Sequence, residues 1–185
     1  MRIFDYVLDE HGNRKAVFNH KETTAAQAKQ ITRQLCMALW VLHSLGVVHR
    51  DVKPDNVIIR GTEAVLIDFD ASRIYKNENR EDTQILGTTG FAAPEQYGYT
   101  QTDQRTDVYA IGQTMLYMVS DSYEMDQLSE CNISRKLKKV IEKACSFEPD
   151  KRYTDASELS RAIEKCQKNS RKILWKKTGV AVGLI

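Results

Sequence analysis

The segment His49-Arg50-Asp51-Val52-Lys53-Pro54-Asp55-Asn56 crowds an imidazole, a guanidinium, two carboxylates, an ammonium group and a primary amide into one short stretch. Such a set suits acid–base work and the stabilisation of negative charge. The stretch follows a helical pattern and precedes a β-rich one. It therefore reads as a loop held between rigid elements, the place where catalytic groups are usually presented. A second carboxylate-bearing tripeptide, Asp68-Phe69-Asp70, closes the β-rich part. The plain alternative is a polar loop around a buried histidine.

The elements that must position these residues follow from periodicity. From Thr24, apolar side chains recur at Ile31, Leu35, Ala38, Leu39, Leu42 and Leu45, the spacing of a helix with one buried face. Thr24 with Gln27 predicts a capping box and Gly46 a stop, so a long helix over 24–45 delivers the chain to His49. Val57-Ile58-Ile59 and Ala64-Val65-Leu66-Ile67 flank Arg60-Gly61-Thr62-Glu63, which reads as a hairpin turn. Residues 3–8 look like a strand end, Glu10-His11-Gly12-Asn13 like a turn, and Tyr75 to Gln84 like a polar loop.

Val108 to Val119 is apolar on nearly all sides, which predicts a helix inside the core, the central post of the domain. Two amphipathic helices complete the pattern. One carries Leu137, Val140, Ile141 and Ala144; the other starts at Asp155, carries Leu159, Ala162, Ile163 and Cys166, and is capped by Asp155 and Glu158. With no repeat and no low-complexity linker, the expected fold is mainly α with a small β-hairpin.

Bulk properties exclude several classes. At 185 residues, 42% hydrophobic and 28% charged, the chain can bury one substantial core. A net charge of +2 without aromatic residues interleaved among basic ones argues against nucleic-acid binding. Cys36, Cys131, Cys145 and Cys166 show neither CxxC spacing nor nearby paired histidines, so they read as reduced, mostly buried thiols of a cytoplasmic protein. Arg171, Lys172, Lys176 and Lys177 precede Thr178-Gly179-Val180-Ala181-Val182-Gly183-Leu184-Ile185, a basic flank before an apolar run. Residues 169–185 are thus expected to be a juxtamembrane-like tail that tethers the domain on the cytoplasmic side, against the alternative of a frayed basic end.

On these residues the chain resembles the protein kinase family, of the bacterial serine/threonine type. The family's catalytic loop reads H-R-D-x-K-x-x-N, and His49, Arg50, Asp51, Lys53 and Asn56 fill it in order. The resemblance implies that Asp51 accepts the proton of a substrate hydroxyl, that Lys53 stabilises the transferring phosphoryl, and that Asn56 holds Mg²⁺. Lysine two residues after the aspartate is the serine/threonine version. Asp68-Phe69-Asp70 stands where the family has D-F-G, so Asp68 matches a magnesium ligand, fitting the preference of Mg²⁺ for oxygen donors, and Phe69 is expected against His49. Asp70 departs from the pattern, because glycine there allows backbone angles closed to most residues.

Gly87-Thr88-Thr89-Gly90-Phe91-Ala92-Ala93-Pro94-Glu95 resembles the family's substrate-docking loop ending in A-P-E. By that likeness Thr88 bonds Asp51 and Lys53, Glu95 pairs with Arg152, and Asp107 anchors the catalytic-loop backbone. Arg50 beside the catalytic aspartate suggests control by a negative charge on the 68–95 segment, with Thr83 as the phosphosite. The alternative is that Glu78, Glu81 or Asp82 satisfies Arg50 without modification.

The likeness covers 1–168: a hinge-like strand over 1–8, the long helix, catalytic loop and strand over 49–60, activation segment over 68–95, and a helical subdomain over 103–168. This is the C-terminal lobe of a kinase-like fold. A Gly-rich loop, a phosphate-contacting strand lysine and its glutamate partner are not among these residues, so the N-terminal lobe is expected to be absent. Phe4-Asp5-Tyr6-Val7 resembles the hinge, which would set Val7 backbone groups against adenine with Ile58 beneath the ring, and the span from Val7 to Asp51 leaves room for a short helix before the long one. The implied function is ATP- and Mg²⁺-dependent phosphoryl transfer to serine or threonine of protein substrates, weak or inactive in this chain alone for lack of the N-terminal lobe, as in a fragment of an active enzyme. The alternatives are a non-catalytic, pseudokinase-like scaffold, or a small-molecule phosphotransferase, which should lack the Gly87–Glu95 loop.

Overall fold

A computed structural model describes residues 4–8, 14–18, 23–60, 62–74, 87–98 and 101–177, with side chains over 23–60, 62–74, 87–98 and 101–166. The elements are β1 (Phe4–Leu8), β2 (Arg14–Phe18), α1 (Ala25–Ser44), β3 (Val47–Val48), β4 (Val57–Arg60), β5 (Glu63–Leu66), β6 (Arg73–Ile74), α2 (Gln104–Ser120), α3 (Arg135–Ala144) and α4 (Ala156–Lys177). Among the described residues the strands form three two-stranded antiparallel sheets, β1–β2, β3–β6 and β4–β5.

Helix α1 begins as its sequence predicts. The Thr24 hydroxyl accepts from the Gln27 N–H at 3.3 Å while the Gln27 side chain accepts from the Thr24 N–H at 2.9 Å. Its buried face, Ala28, Ile31, Leu35, Cys36 and Leu39, packs on α2 and α4. Helix α2 is buried along most of its length, from Thr106 to Met118, as expected of a helix that is apolar all round. Asp103 caps it, accepting from the Arg105 N–H at 2.7 Å. A Cβ on Gly112 would fall 2.7 Å from Cys145 Sγ and 2.8 Å from Ala144 Cβ. Only glycine lets the end of α3 approach α2 this closely. Helix α4 starts under Asp155, whose carboxylate accepts from the Glu158 N–H at 2.8 Å, and it runs without a break through Lys177.

Two differences from the sequence reading have physical causes. Arg14–Phe18, for which no strand was expected, pairs with β1 in the register Phe4↔Phe18 to Leu8↔Arg14, and the room for a short helix before α1 is left to residues outside the described part. The isolated signal of this strand is weak, and pairing with a neighbour supplies what propensity does not. The tiny β3–β6 sheet was also not expected; two residues per strand are too few for any periodicity. No disulfide joins the four cysteines. No described helix is long and apolar enough to cross a membrane, and residues 178–185 lie outside the described part.

Candidate active site

The loop from His49 to Asn56 is fastened at both ends before any side chain does chemistry. At its start, β3 pairs with β6, and Asp107 from the first turn of α2 accepts from the N–H groups of His49 and Arg50, each at 2.8 Å. Two successive N–H groups thus converge on one carboxylate as a small anion-binding nest, and the chain leaves it through Arg50 at φ 67, a left-handed conformation. His43 Nε2, at 2.8 Å, completes the shell of this fully buried aspartate. At its far end, Pro54–Asn56 forms a single 3₁₀ turn, and the Ile67 N–H donates to the Asn56 carbonyl at 2.9 Å. That bond sets Asp68 one residue from the strand partner of Asn56.

Inside this frame Asp51 gathers the donors. Thr88 Oγ1 donates to its Oδ1 at 2.8 Å; Lys53 Nζ lies 2.8 Å and Asn56 Nδ2 2.9 Å from its Oδ2. Lys53 Nζ also donates to Thr88 Oγ1 at 2.7 Å, so Asp51, Lys53 and Thr88 form a closed triangle. Burial pushes the Asp51 carboxyl up, but the bonds from Lys53 and Thr88, the Lys53 charge and the Asn56 amide outweigh it and hold it below the usual carboxylate range. Asp51 is thus ionised, and among the described residues Oδ1 accepts from Thr88 alone, which leaves it a lone pair.

His49 is fully buried. Desolvation dominates over the nearby Asp107 and Asp51 charges and pulls its pKa down, so the ring is neutral. It packs edge-on against Phe69, with centroids 5.0 Å apart. Asp68 is exposed at φ 65, and Asp70, outside the left-handed region, donates its N–H to Asp68 Oδ1 at 3.3 Å. The strained position that invites glycine is Asp68, so an aspartate at 70 meets no conformational penalty of that kind.

Arg50 turns away from Asp51: its Nε donates to the Ala71 carbonyl at 2.7 Å, and burial, followed by the charge of Arg73, lowers its pKa. Thr83, Glu78, Glu81 and Asp82 lie outside the described residues, as does the side chain of Val7; Ile58, half-buried on β4, pairs with Val65. Glu95 and Arg152 meet in a bidentate pair at 2.6 and 2.8 Å.

Sequence reasoning missed Gln96 and His43. The buried Gln96 amide accepts from the Ala93 N–H at 2.9 Å and donates to the Arg50 carbonyl at 2.7 Å, tying the 87–95 segment to the loop from His49 to Asn56. Its position directly after Glu95 was the available signal. His43 had none, because its partner lies 64 residues away.

For Mg²⁺ the donor set fits. Both Asn56 amide hydrogens are taken, by the Asp51 carbonyl at 2.8 Å and carboxylate at 2.9 Å, which leaves the amide oxygen, and Asp68 offers an exposed carboxylate. Among the described residues no cluster of three acidic, histidine or cysteine ligands occurs. An amide and a carboxylate, completed by water and phosphate oxygens, is the sparse protein set that this ion ordinarily takes.

The protein kinase domain matches residues 3–169. The chain is 30% identical to serine/threonine-protein kinase D of Synechocystis sp. (strain PCC 6803), over 85% of the chain and 35% of that relative. It is also 30% identical to PknA of Nostoc sp. (strain PCC 7120), over 74% of the chain and 28% of that relative, and to PknB of Mycobacterium tuberculosis, over 85% and 29%. The chain therefore spans about a third of the length of the curated relatives it matches. With its catalytic loop, docking loop and their buried anchors in family order, the chain belongs to the protein kinase family, among the bacterial-type serine/threonine kinases.

Proposed function

We propose that this domain transfers the γ-phosphoryl group of ATP to serine or threonine hydroxyls of a protein substrate. The observation that carries the reading is the closed triangle of Asp51, Lys53 and Thr88 beside the Asn56 amide. In this reading Asp51 orients the incoming hydroxyl with Oδ1 and receives its proton. A depressed pKa makes it a weak base, which suits a loose transition state in which the enzyme mainly positions and stabilises charge. Lys53 places its ammonium where negative charge grows on the phosphoryl oxygens, and Thr88 couples the docking loop to both.

Asn56 and Asp68 would hold Mg²⁺, which, when bound, neutralises charge on the phosphates. Val7 and Ile58 would meet the adenine. His49, Phe69, Asp107, Glu95 and Arg152 act as positioning residues. Thr83 is proposed as the phosphosite that meets Arg50, a site where burial and the Arg73 charge both make an added anion favourable. These 185 residues by themselves are expected to transfer phosphate slowly, because no residue among them matches the family's phosphate-contacting lysine.

Incubating the chain with radiolabelled Mg·ATP and a mixed protein substrate tests this. A slow transfer to serine and threonine is expected, with part of the label mapping to Thr83 by mass spectrometry. Asp51→Asn should lower the rate by about 10²–10⁴-fold. A rate that survives Asp51→Asn, or no transfer together with no Mg·ATP binding by calorimetry, sinks the reading.

A further inference from the structure

The docking loop does not end at the residues that touch Asp51. Two positions beyond Thr88, Gly90 takes φ 88, and a Cβ built there would fall 2.8 Å from Tyr123 Cγ and 3.0 and 3.1 Å from its two Cδ carbons. Near-equal approach to three ring atoms means that the root of the Tyr123 ring lies over the Gly90 backbone. Tyr123 is nonetheless 45% exposed, so much of the ring remains open. Beside it, Phe91 stands edge-on to Tyr117, centroids 5.8 Å apart. The turn that carries both contacts is rigid, since the N–H groups of Phe91 and Ala92 both donate to the Thr88 carbonyl, at 3.0 and 2.9 Å.

An exposed aromatic ring needs no explanation by itself. This one is fixed against the loop whose other end bonds the candidate base, and the loop has a glycine where any side chain would push the ring off. We infer that Tyr123 is a specificity-determining residue. Its open face receives an apolar side chain of the protein substrate, two to four residues from the phosphoacceptor. The spacing follows from chain geometry. The Cα atoms of Thr88 and Gly90 are at most about 7 Å apart, the ring adds a further layer, and an extended peptide advances about 3.3–3.6 Å per residue. An aromatic face held by a rigid turn offers apolar area at low entropic cost, and it gives a carboxylate nothing in return for its lost water.

The inference rests on the protein-kinase reading, and its test separates the two. Fluorescein-labelled peptides with a central serine, scanned with Leu, Phe, Asp or Lys at each of the four positions on either side, are titrated into the full chain and followed by anisotropy. In parallel they are offered as substrates with Mg·ATP. The expected result is a preference of about tenfold in Kd for Leu or Phe over Asp at one scanned position. Tyr123→Ala should abolish that preference, and Tyr123→Phe should retain it, which a loss of folding would not do.

Equal binding of Leu and Asp peptides at every position, no peptide binding at all, or an undiminished preference in Tyr123→Ala overturns the inference. A preference seen in binding without any phosphate transfer upholds the Tyr123 surface and counts against the kinase reading. Transfer without a preference does the reverse.

Discussion

Asp51–Lys53 and Glu95–Arg152 are carboxylate–cation pairs of the same kind, 2.8 and 2.6 Å apart, and the fold treats them in opposite ways. The side chains of Glu95 and Arg152 are 3% and 0% exposed. Arg152 also donates to the carbonyls of Ser146, Arg105 and Phe147, and its guanidinium lies 4.8 Å from the Tyr109 ring centroid, while Glu95 accepts a further bond from Thr106. Every N–H group of Arg152 is committed, and the pair is closed to solvent. Asp51 and Lys53 keep 16% and 18% of their side chains in solvent. A pair sealed from solvent is mechanical; one open to solvent can meet a substrate.

Breaking the sealed pair should have the largest effect. Arg152→Met leaves Glu95 as a buried charge without its counter-ion, which costs about 3–5 kcal/mol by urea denaturation. Adding Glu95→Leu should recover the part of the loss that comes from the stranded charge, while the carbonyls of Ser146, Arg105 and Phe147 still lack the Arg152 donors. A single-variant loss below about 1 kcal/mol would place the pair among surface bridges and remove the contrast.

Asp107→Asn is the intermediate case. One carboxylate oxygen becomes an amide that faces a donor, so one N–H of the His49–Arg50 nest, or His43 Nε2, loses its acceptor. About 1–3 kcal/mol of stability is expected to go. If the nest is what shapes the catalytic loop, phosphate transfer should fall by more than the shift in urea midpoint accounts for. Parallel losses would reduce Asp107 to a core residue.

The parts legible in the sequence were those whose chemistry is local or ordered along the chain. His49 to Asn56 spans eight positions, α1 announces itself by its cap and apolar stripe, and α2 by being apolar all round. The segments Gly87–Glu95 and Glu148–Tyr153 could be paired only through a family likeness, although the structure shows Glu95 and Arg152 in contact. What stayed hidden depends on tertiary partners. His43 looks like any histidine in the last turn of a helix, where it suits the dipole, and nothing local says that Asp107 lies beside it. Gln96 is an amide whose value lies in the Arg50 carbonyl it meets, and Arg14–Phe18 becomes a strand only beside β1. Backbone strain was misplaced by two residues, because composition favours the glycine position of a motif, whereas the left-handed angle fell on Asp68.

The smallest effect belongs to the open pair and is the most informative about it. Thr88→Val keeps volume and removes one hydroxyl that bonds both Asp51 and Lys53. If Thr88 couples the docking loop to the base, kcat/KM should fall by about tenfold, the worth of one charge-assisted hydrogen bond. The folded Asp51 pKa lies below its value in the unfolded chain, so its contribution to stability is fully present above the ordinary carboxylate range and is lost as pH falls through the depressed value. Removing the Thr88 donor takes away one of the bonds that lower this pKa. In the metal-free chain the acid loss of stability due to Asp51 should therefore begin at the same pH in both chains but be smaller, and level off at higher pH, in Thr88→Val than in the native chain. Urea midpoints measured from neutral pH down to the acid range report it directly. Superimposable profiles would mean that Lys53 and Asn56 alone keep Asp51 ionised, and that the docking loop touches the base without tuning it.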